Sequence, residues 1–97
     1  MSHNSHMPIF SAEQFKGIYK PSEYGMTWDE VPRHRLFHMR MTKDALNDME
    51  SSIKSEGIKV PVKVDRMVGK VVDGHHRAAI ALRHGLDIPV EYKKAEE

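Results

Sequence analysis

Ninety-seven residues with 15 basic and 14 acidic side chains, a net charge of +1, and 39% hydrophobic and 30% charged content describe one globular domain with no room for two independent cores. The absence of cysteine excludes disulfides, thiolate zinc sites and cysteine nucleophiles. The balanced charge excludes a polyanion held by bulk attraction, so any such site has to be local.

Residues 1–7, MSHNSHM, are polar and lack the apolar centre of a signal peptide. They are read as a disordered terminus, and because their SHM resembles a cloning scar, His3 and His6 carry no functional expectation. No apolar run approaches the roughly 20 residues that span a bilayer. A cysteine-free chain is compatible with a reducing cytoplasm, which is the expected location, with no membrane partner.

Residues 8–41 are read as an N-terminal extension. Ser11 is placed to cap a short helix through AEQFKGIY, with Phe15, Ile18 and Tyr19 on one face. Pro21 ends it, and PSEYGMTWDEVP reads as turn and irregular structure. Trp28 is expected to anchor packing, with a base-stacking platform as the alternative. The segment RHRLFHMRMTK holds Arg33, Arg35, Arg40 and Lys43 with no acidic residue. Its alternation of Arg35, Phe37, Met39 and Met41 against Leu36, His38 and Arg40 predicts a strand. Such a strand would meet a nucleic-acid backbone or form a solvated edge that discourages pairing.

From 42 to 93 the elements are clearer. Thr42 opens a helix in which Leu46, Met49 and Ile53 recur on one face, Asp44 suits the first turn, and Gly57 is the expected left-handed stop. IKVPVKVD alternates Ile58, Val60, Val62 and Val64 with polar residues, as a half-buried strand does, although Pro61 cannot donate to a ladder. RMVG turns into a second strand, KVVD. Gly74 breaks that strand, a helix runs from about His75 to His84, Gly85 closes it with Leu86 as the accompanying contact, and DIPVEY supplies the last strand. Residues 94–97 are a tail. The order predicts an α+β fold with a small mixed sheet and flanking helices.

The stretch DGHHR, at residues 73–77, carries the chemistry. Glycine between strand and helix allows unusual dihedrals and close approach of a ligand. The first helical turn presents amide hydrogens at the positive end of the dipole, where an anion is favoured. Arg77 adds a planar fork for phosphate oxygens, and His75 and His76 are hydrogen-bond donors in either charge state. The competing reading has Asp73 capping the helix and the histidines facing solvent. Adjacent His75 and His76 point about 100° apart on a helix and chelate poorly. His34 and His38 have i, i+4 spacing, of use to a metal only if that segment is helical, and His84 suits the end of its own helix.

The stretch from Leu46 to Tyr92 resembles the ParB/sulfiredoxin superfamily domain. The motifs in register are Ser52-Ile53 in a helix, Gly57-Ile58-x-x-Pro61 leading into a strand, a hairpin, the Gly74-x-x-Arg77 helix start, an alanine-rich helix stopping at His84-Gly85, and the closing Pro89-Val90 strand. The resemblance implies nucleotide phosphates at Gly74, His75, His76 and Arg77, with Ser52 bordering the nucleotide. The expected partners are CTP, ATP or ADP, or DNA, with Mg2+ carried by the nucleotide and Asp73 as its carboxylate.

The family includes CTP-binding partition proteins, sulfiredoxins, an ADP-dependent free-serine kinase and ParB-like nucleases. The DGHHR spelling is closest to the kinase-like and nuclease-like branches. Departures are informative. His75 stands where partition proteins place glutamate and sulfiredoxins place their catalytic cysteine, which rules out the latter chemistry, and a chain ending at Glu97 is not expected to be a full partition clamp. A nuclease or phosphohydrolase would use His76 or His75 as base, with Glu30 of WDEVP as the loose counterpart of the kinase-like branch's glutamate. A non-catalytic module regulating a host or phage protein is the alternative, and the small size suggests a phage or mobile-element setting by resemblance.

Overall fold

The computed structural model describes residues 8–21, 27–33, 38–39 and 41–94. The elements are β1 (Ile9–Phe10), α1 (Ala12–Ile18), β2 (Lys20–Pro21), a 3-10 turn (Val31–Arg33), α2 (Lys43–Glu56), β3 (Val62–Asp65), β4 (Lys70–Asp73), α3 (His75–Arg83) and β5 (Ile88–Tyr92). The strands form a mixed five-stranded sheet in the order β1-β5-β3-β4-β2. β3 pairs antiparallel with β4 and parallel with β5; β2 joins β4 in parallel, and β1 joins β5 antiparallel. This is the small α+β architecture expected, with helices packed against a mixed sheet.

The alternation of valines explains the sheet. Register places Tyr92, Val64, Val71 and Pro21 in one row across four strands, and Val64 and Val71 in that row are fully buried. Val62 and Val90 form the next row. A register shift between Lys63 and Val64 leaves Val72 as an extra residue in β4. Such a bulge bends and twists its strand, here two residues before the strand becomes α3. The predicted strand from Ile58 is shorter than expected: it begins at Val62, with Val60 59% exposed, because Pro61 has no amide to continue the ladder.

The N-terminal residues build part of the core. Ser11 caps α1 through a reciprocal capping box with Gln14. Phe15 and Tyr19 are buried, whereas Ile18, expected on the same face, is 49% exposed. The Trp28 ring lies 5.9 Å from Phe15 and its Nε1–H donates to the Tyr19 carbonyl at 2.7 Å. Trp28 is therefore a packing anchor and not a stacking platform: it is almost wholly buried and its donor is satisfied internally.

The predicted strand over 33–43 is not formed by the described residues. Arg33 ends a 3-10 turn, residues 38–39 are helical, and Lys43 is the first residue of α2. Pro32 favours the tight turn because its ring fixes φ, and Thr42 draws Lys43 into the helix by accepting the Ala45 amide on its hydroxyl. Arg35 and Arg40 lie outside the described residues, as does His34. His38 donates from Nε2 to the Pro32 carbonyl at 2.6 Å.

Helix ends follow their glycines, with one correction. Gly57 caps α2 at φ 78° and ψ −176°, a glycine-only region that is extended rather than left-handed helical. Helix α3 stops as expected: the Leu86 amide donates to the Ala81 carbonyl and the Gly85 amide to Leu82, the paired bonds of a Schellman cap. His84 does more than serve its own helix terminus. Its Nε2 donates to Glu50 Oε2 at 2.7 Å, tying α3 to α2, with Arg83 Nη1 3.6 Å from the same oxygen.

That hydrogen bond from His84, aided by the positive charge of Arg83, holds the Glu50 carboxyl below the ordinary glutamate value of 4.5. A depressed folded pKa contributes stability above the unfolded pKa that is lost as pH falls through the folded one. Glu50→Gln is expected to cost about 1 kcal/mol at pH 6, and the difference from wild type should shrink below pH 4.5. Urea unfolding at both pH values measures it; an equal deficit under both conditions would contradict the assignment.

Candidate functional site

The candidate site lies where β4 becomes α3. Gly74 occupies the N-cap in the left-handed region, at φ 96° and ψ 28°, which glycine enters without strain. It has no side chain to cap the helix, and its carbonyl accepts the Ala78 amide at 2.9 Å. Asp73 does not cap α3. It ends β4, opposite Lys63 in the ladder, with its side chain exposed.

Arg77 folds back over this turn. A Cβ on Gly74 would meet the guanidinium, 2.8 Å from Nη2 and 3.3 Å from Cζ, with the Val62 Cα 3.4 Å away on the other side. Nη2 donates to the Pro61 carbonyl at 3.3 Å. The Nε–H is shut off from solvent and has no hydrogen-bond partner. Among the described residues Arg77 makes no ion pair. A guanidinium has five N–H donors, so a single long bond to a neutral carbonyl leaves most of this charge uncompensated.

The two histidines part company. His75 is 5% exposed, with its ring 6.1 Å from Trp28. Burial turns it inward beside the indole, badly placed for a proton transfer at the surface. His76 is half-buried in the first turn of α3. Ser52 is exposed on α2, one residue before the buried Ile53. Glu30 is held in its own turn, where its Oε1 accepts the Thr27 amide at 3.2 Å and the Thr27 hydroxyl at 3.1 Å. It borders a hollow with Lys16, Lys20 and Lys70, at the β2–β4 edge. The structure thus brings Gly74 and Arg77 together, buries the His75 ring near Trp28 and holds Glu30 in its own turn.

Some contributors had no usable sequence signal. The Pro61 carbonyl and the Val62 backbone confine Arg77, but they come from β3, and nothing local to DGHHR names them. Lys20 and Lys70 are direct partners across parallel strands, and a two-residue strand offers no periodicity from which to read that pairing. Among the described residues, no group of three or more histidine or carboxylate side chains is placed to hold a metal ion. No helix among them is long and apolar enough to cross a membrane.

No family model matches the chain, and no curated protein matches it. Among solved structures it is similar to the C-terminally truncated chromosome-partitioning protein ParB from Caulobacter crescentus, determined in complex with CTP-gamma-S. The TM-score is 0.59 and the identity 21%, over 93% of this chain and 45% of that one. The chain therefore spans less than half the length of that ParB structure, and the likeness establishes a ParB-like fold.

The Gly74 geometry yields its own prediction. Gly74→Ala forces a side chain into left-handed backbone and displaces the Arg77 guanidinium, so unfolding free energy should fall by about 1–2 kcal/mol. In an Arg77→Ala background the penalty should drop to the backbone part alone. A urea double-mutant cycle reads the coupling; strict additivity would mean that the two residues do not meet.

Proposed function

We propose that this chain binds the phosphates of a nucleotide at the Gly74–Arg77 turn. The observation that carries the reading is the state of Arg77, a partly buried cation held by one long bond, with an unpartnered Nε, over a glycine that opens a helix. A phosphate at that position would provide charged acceptors for the guanidinium fork in place of one neutral carbonyl, and such charge-assisted pairs are roughly twice as strong as neutral ones. The N-terminus of α3 adds its dipole. The ParB structure with the same fold was solved with CTP-gamma-S, which supports a nucleotide in preference to free phosphate and makes CTP the first ligand to test, ahead of ATP and ADP.

Magnesium fits this reading as a companion of the nucleotide. The Asp73 carboxylate makes no hydrogen bond or ion pair among the described residues and adjoins Gly74. One or two carboxylates with phosphate oxygens are the usual protein share of a magnesium shell. The ion would neutralise phosphate charge; Asp73 would hold it, and Arg77 and the α3 amides would orient the phosphates.

Binding without turnover is the function best supported. Turnover rests on the likeness of DGHHR to the kinase-like and nuclease-like branches; of its candidate residues, His76 is half-buried, His75 is buried beside Trp28 and Glu30 is hydrogen-bonded to Thr27. DNA-backbone binding rests on Arg33 and Lys43, which stand on separate elements, together with Arg35 and Arg40.

Thermal-shift and calorimetric titrations with CTP, ATP, ADP and short DNA, with and without magnesium, test the reading. One nucleotide should raise the melting temperature by mass action, and Arg77→Ala should weaken its binding by about 10- to 100-fold, the equivalent of one or two charge-assisted hydrogen bonds. Phosphate release and plasmid nicking followed in the same samples should stay at background. Equal binding by Arg77→Ala, or no stabilisation by any nucleotide, would refute the site; Arg77-dependent product formation would replace the binding reading with an enzymatic one.

A further inference from the structure

A separate hollow of about 390 Å3 opens between the N-terminal half of α2 and the C-terminal half of α3. Lys43, Leu46, Asn47 and Glu50 border it from α2, and Ala79, Ile80 and Arg83 from α3. The α2 positions recur at i, i+3, i+4 and i+7, one stripe of a helix. This is the other end of α3 from the nucleotide turn: nine residues separate Gly74 from Arg83, about 13 Å along a helix. Its volume falls within the range of small-molecule sites.

The chemistry of the walls is uneven. Met41, Leu46, Ala79 and Ile80 make an apolar floor. Among the described residues, which include Pro32 and His38 joined by their own hydrogen bond, Glu50 is the one carboxylate of the lining, and it is already engaged by His84 at 2.7 Å. Arg83 lies 3.6 Å from that carboxylate, too far for a hydrogen bond, with its side chain 64% exposed. Lys43 makes no ion pair among the described residues and starts α2, at the positive end of a 14-residue helix dipole. Asp44, in the same first turn, is not part of the lining. The rim is therefore cationic above an apolar floor, and the Asn47 amide adds a neutral donor.

We propose that this hollow binds a small amphipathic carboxylate, with its hydrocarbon body on Leu46 and Ile80 and its head group between Lys43, Asn47 and Arg83. Floor and rim divide the recognition as small-molecule sites do: apolar contact supplies area, and a few polar groups fix orientation. Among the described residues the lining offers no free carboxylate to receive an amine, since Glu50 is held by His84, which sets the sign of the ligand.

Octanoate, octanol and octylamine serve as probes, followed by amide chemical shifts of the full chain. Octanoate should shift Leu46, Ala79 and Ile80 saturably, with an affinity at least about fivefold above that of octanol or octylamine, as charge-assisted contacts require. Lys43→Gln with Arg83→Gln, both at exposed side chains, should abolish that preference while octanol still binds, and Asn47→Trp should block all three by covering the mouth. Arg77→Ala should leave octanoate binding unchanged, so failure here and failure of the nucleotide site are read separately. The proposal is overturned by octylamine binding as well as octanoate, by an unaltered preference in the double variant, or by shifts confined to residues outside the hollow. Concentration-dependent self-association through these residues would assign the face to a second copy of the chain and overturn it equally.

Discussion

The left-handed backbone of Gly74 sets the direction in which the chain leaves the sheet. With φ at 96°, β4 stops and α3 starts without an intervening loop, and the side chain four positions from Asp73 turns back over the junction. Arg77 then rests against Gly74, the Pro61 carbonyl and the Val62 backbone. The bulge at Val72 supplies extra twist just before the turn. A residue with a Cβ at position 74 would have to displace the guanidinium, so the conformation of the glycine and the position of the cation are one constraint.

The remainder of the fold holds that constraint in place. Ala78, Ala79 and Ala81 are buried; their small side chains let α3 lie close to the sheet, which brings Arg77 within reach of β3. The first turn of α3 is pinned by His75 against Trp28, and Trp28 is itself fixed by its hydrogen bond to Tyr19. At the other end of α3, the Schellman cap and the His84–Glu50 bond fix the helix against α2. Residues around position 28 thus support a turn nearly fifty positions later, through packing of aromatic rings.

Charge is distributed by the same logic. The ion pairs Lys16 with Asp29 and Lys59 with Glu56 are exposed surface contacts, which contribute little. The informative cations are those left over: Arg77 with its single carbonyl bond, Lys43 at a helix start, and Lys20 beside Lys70 in register. With a net charge of only +1, any anion site on this domain depends on where individual cations are confined.

Local signals determined much of this protein. Thr42 and Ser11 capped the expected helices because their hydroxyls reach amides within three residues, Gly85 closed α3, and the valine alternation named the buried face of β3, since each of these effects acts over one or two turns of chain. DGHHR named Gly74 and Arg77 for the same reason. Tertiary structure alone decided the rest. The basic run from Arg33 alternates like a strand, yet Arg33 ends a 3-10 turn after Pro32 and Lys43 begins α2 behind the Thr42 cap. His75 and His76 look equivalent in the sequence, and only the tertiary structure buries one of them, beside Trp28. The two-residue strands β1 and β2 are too short to show a period; they exist because longer strands already present unpaired edges to them, and a hydrogen-bond partner distant in sequence leaves no trace in the local pattern.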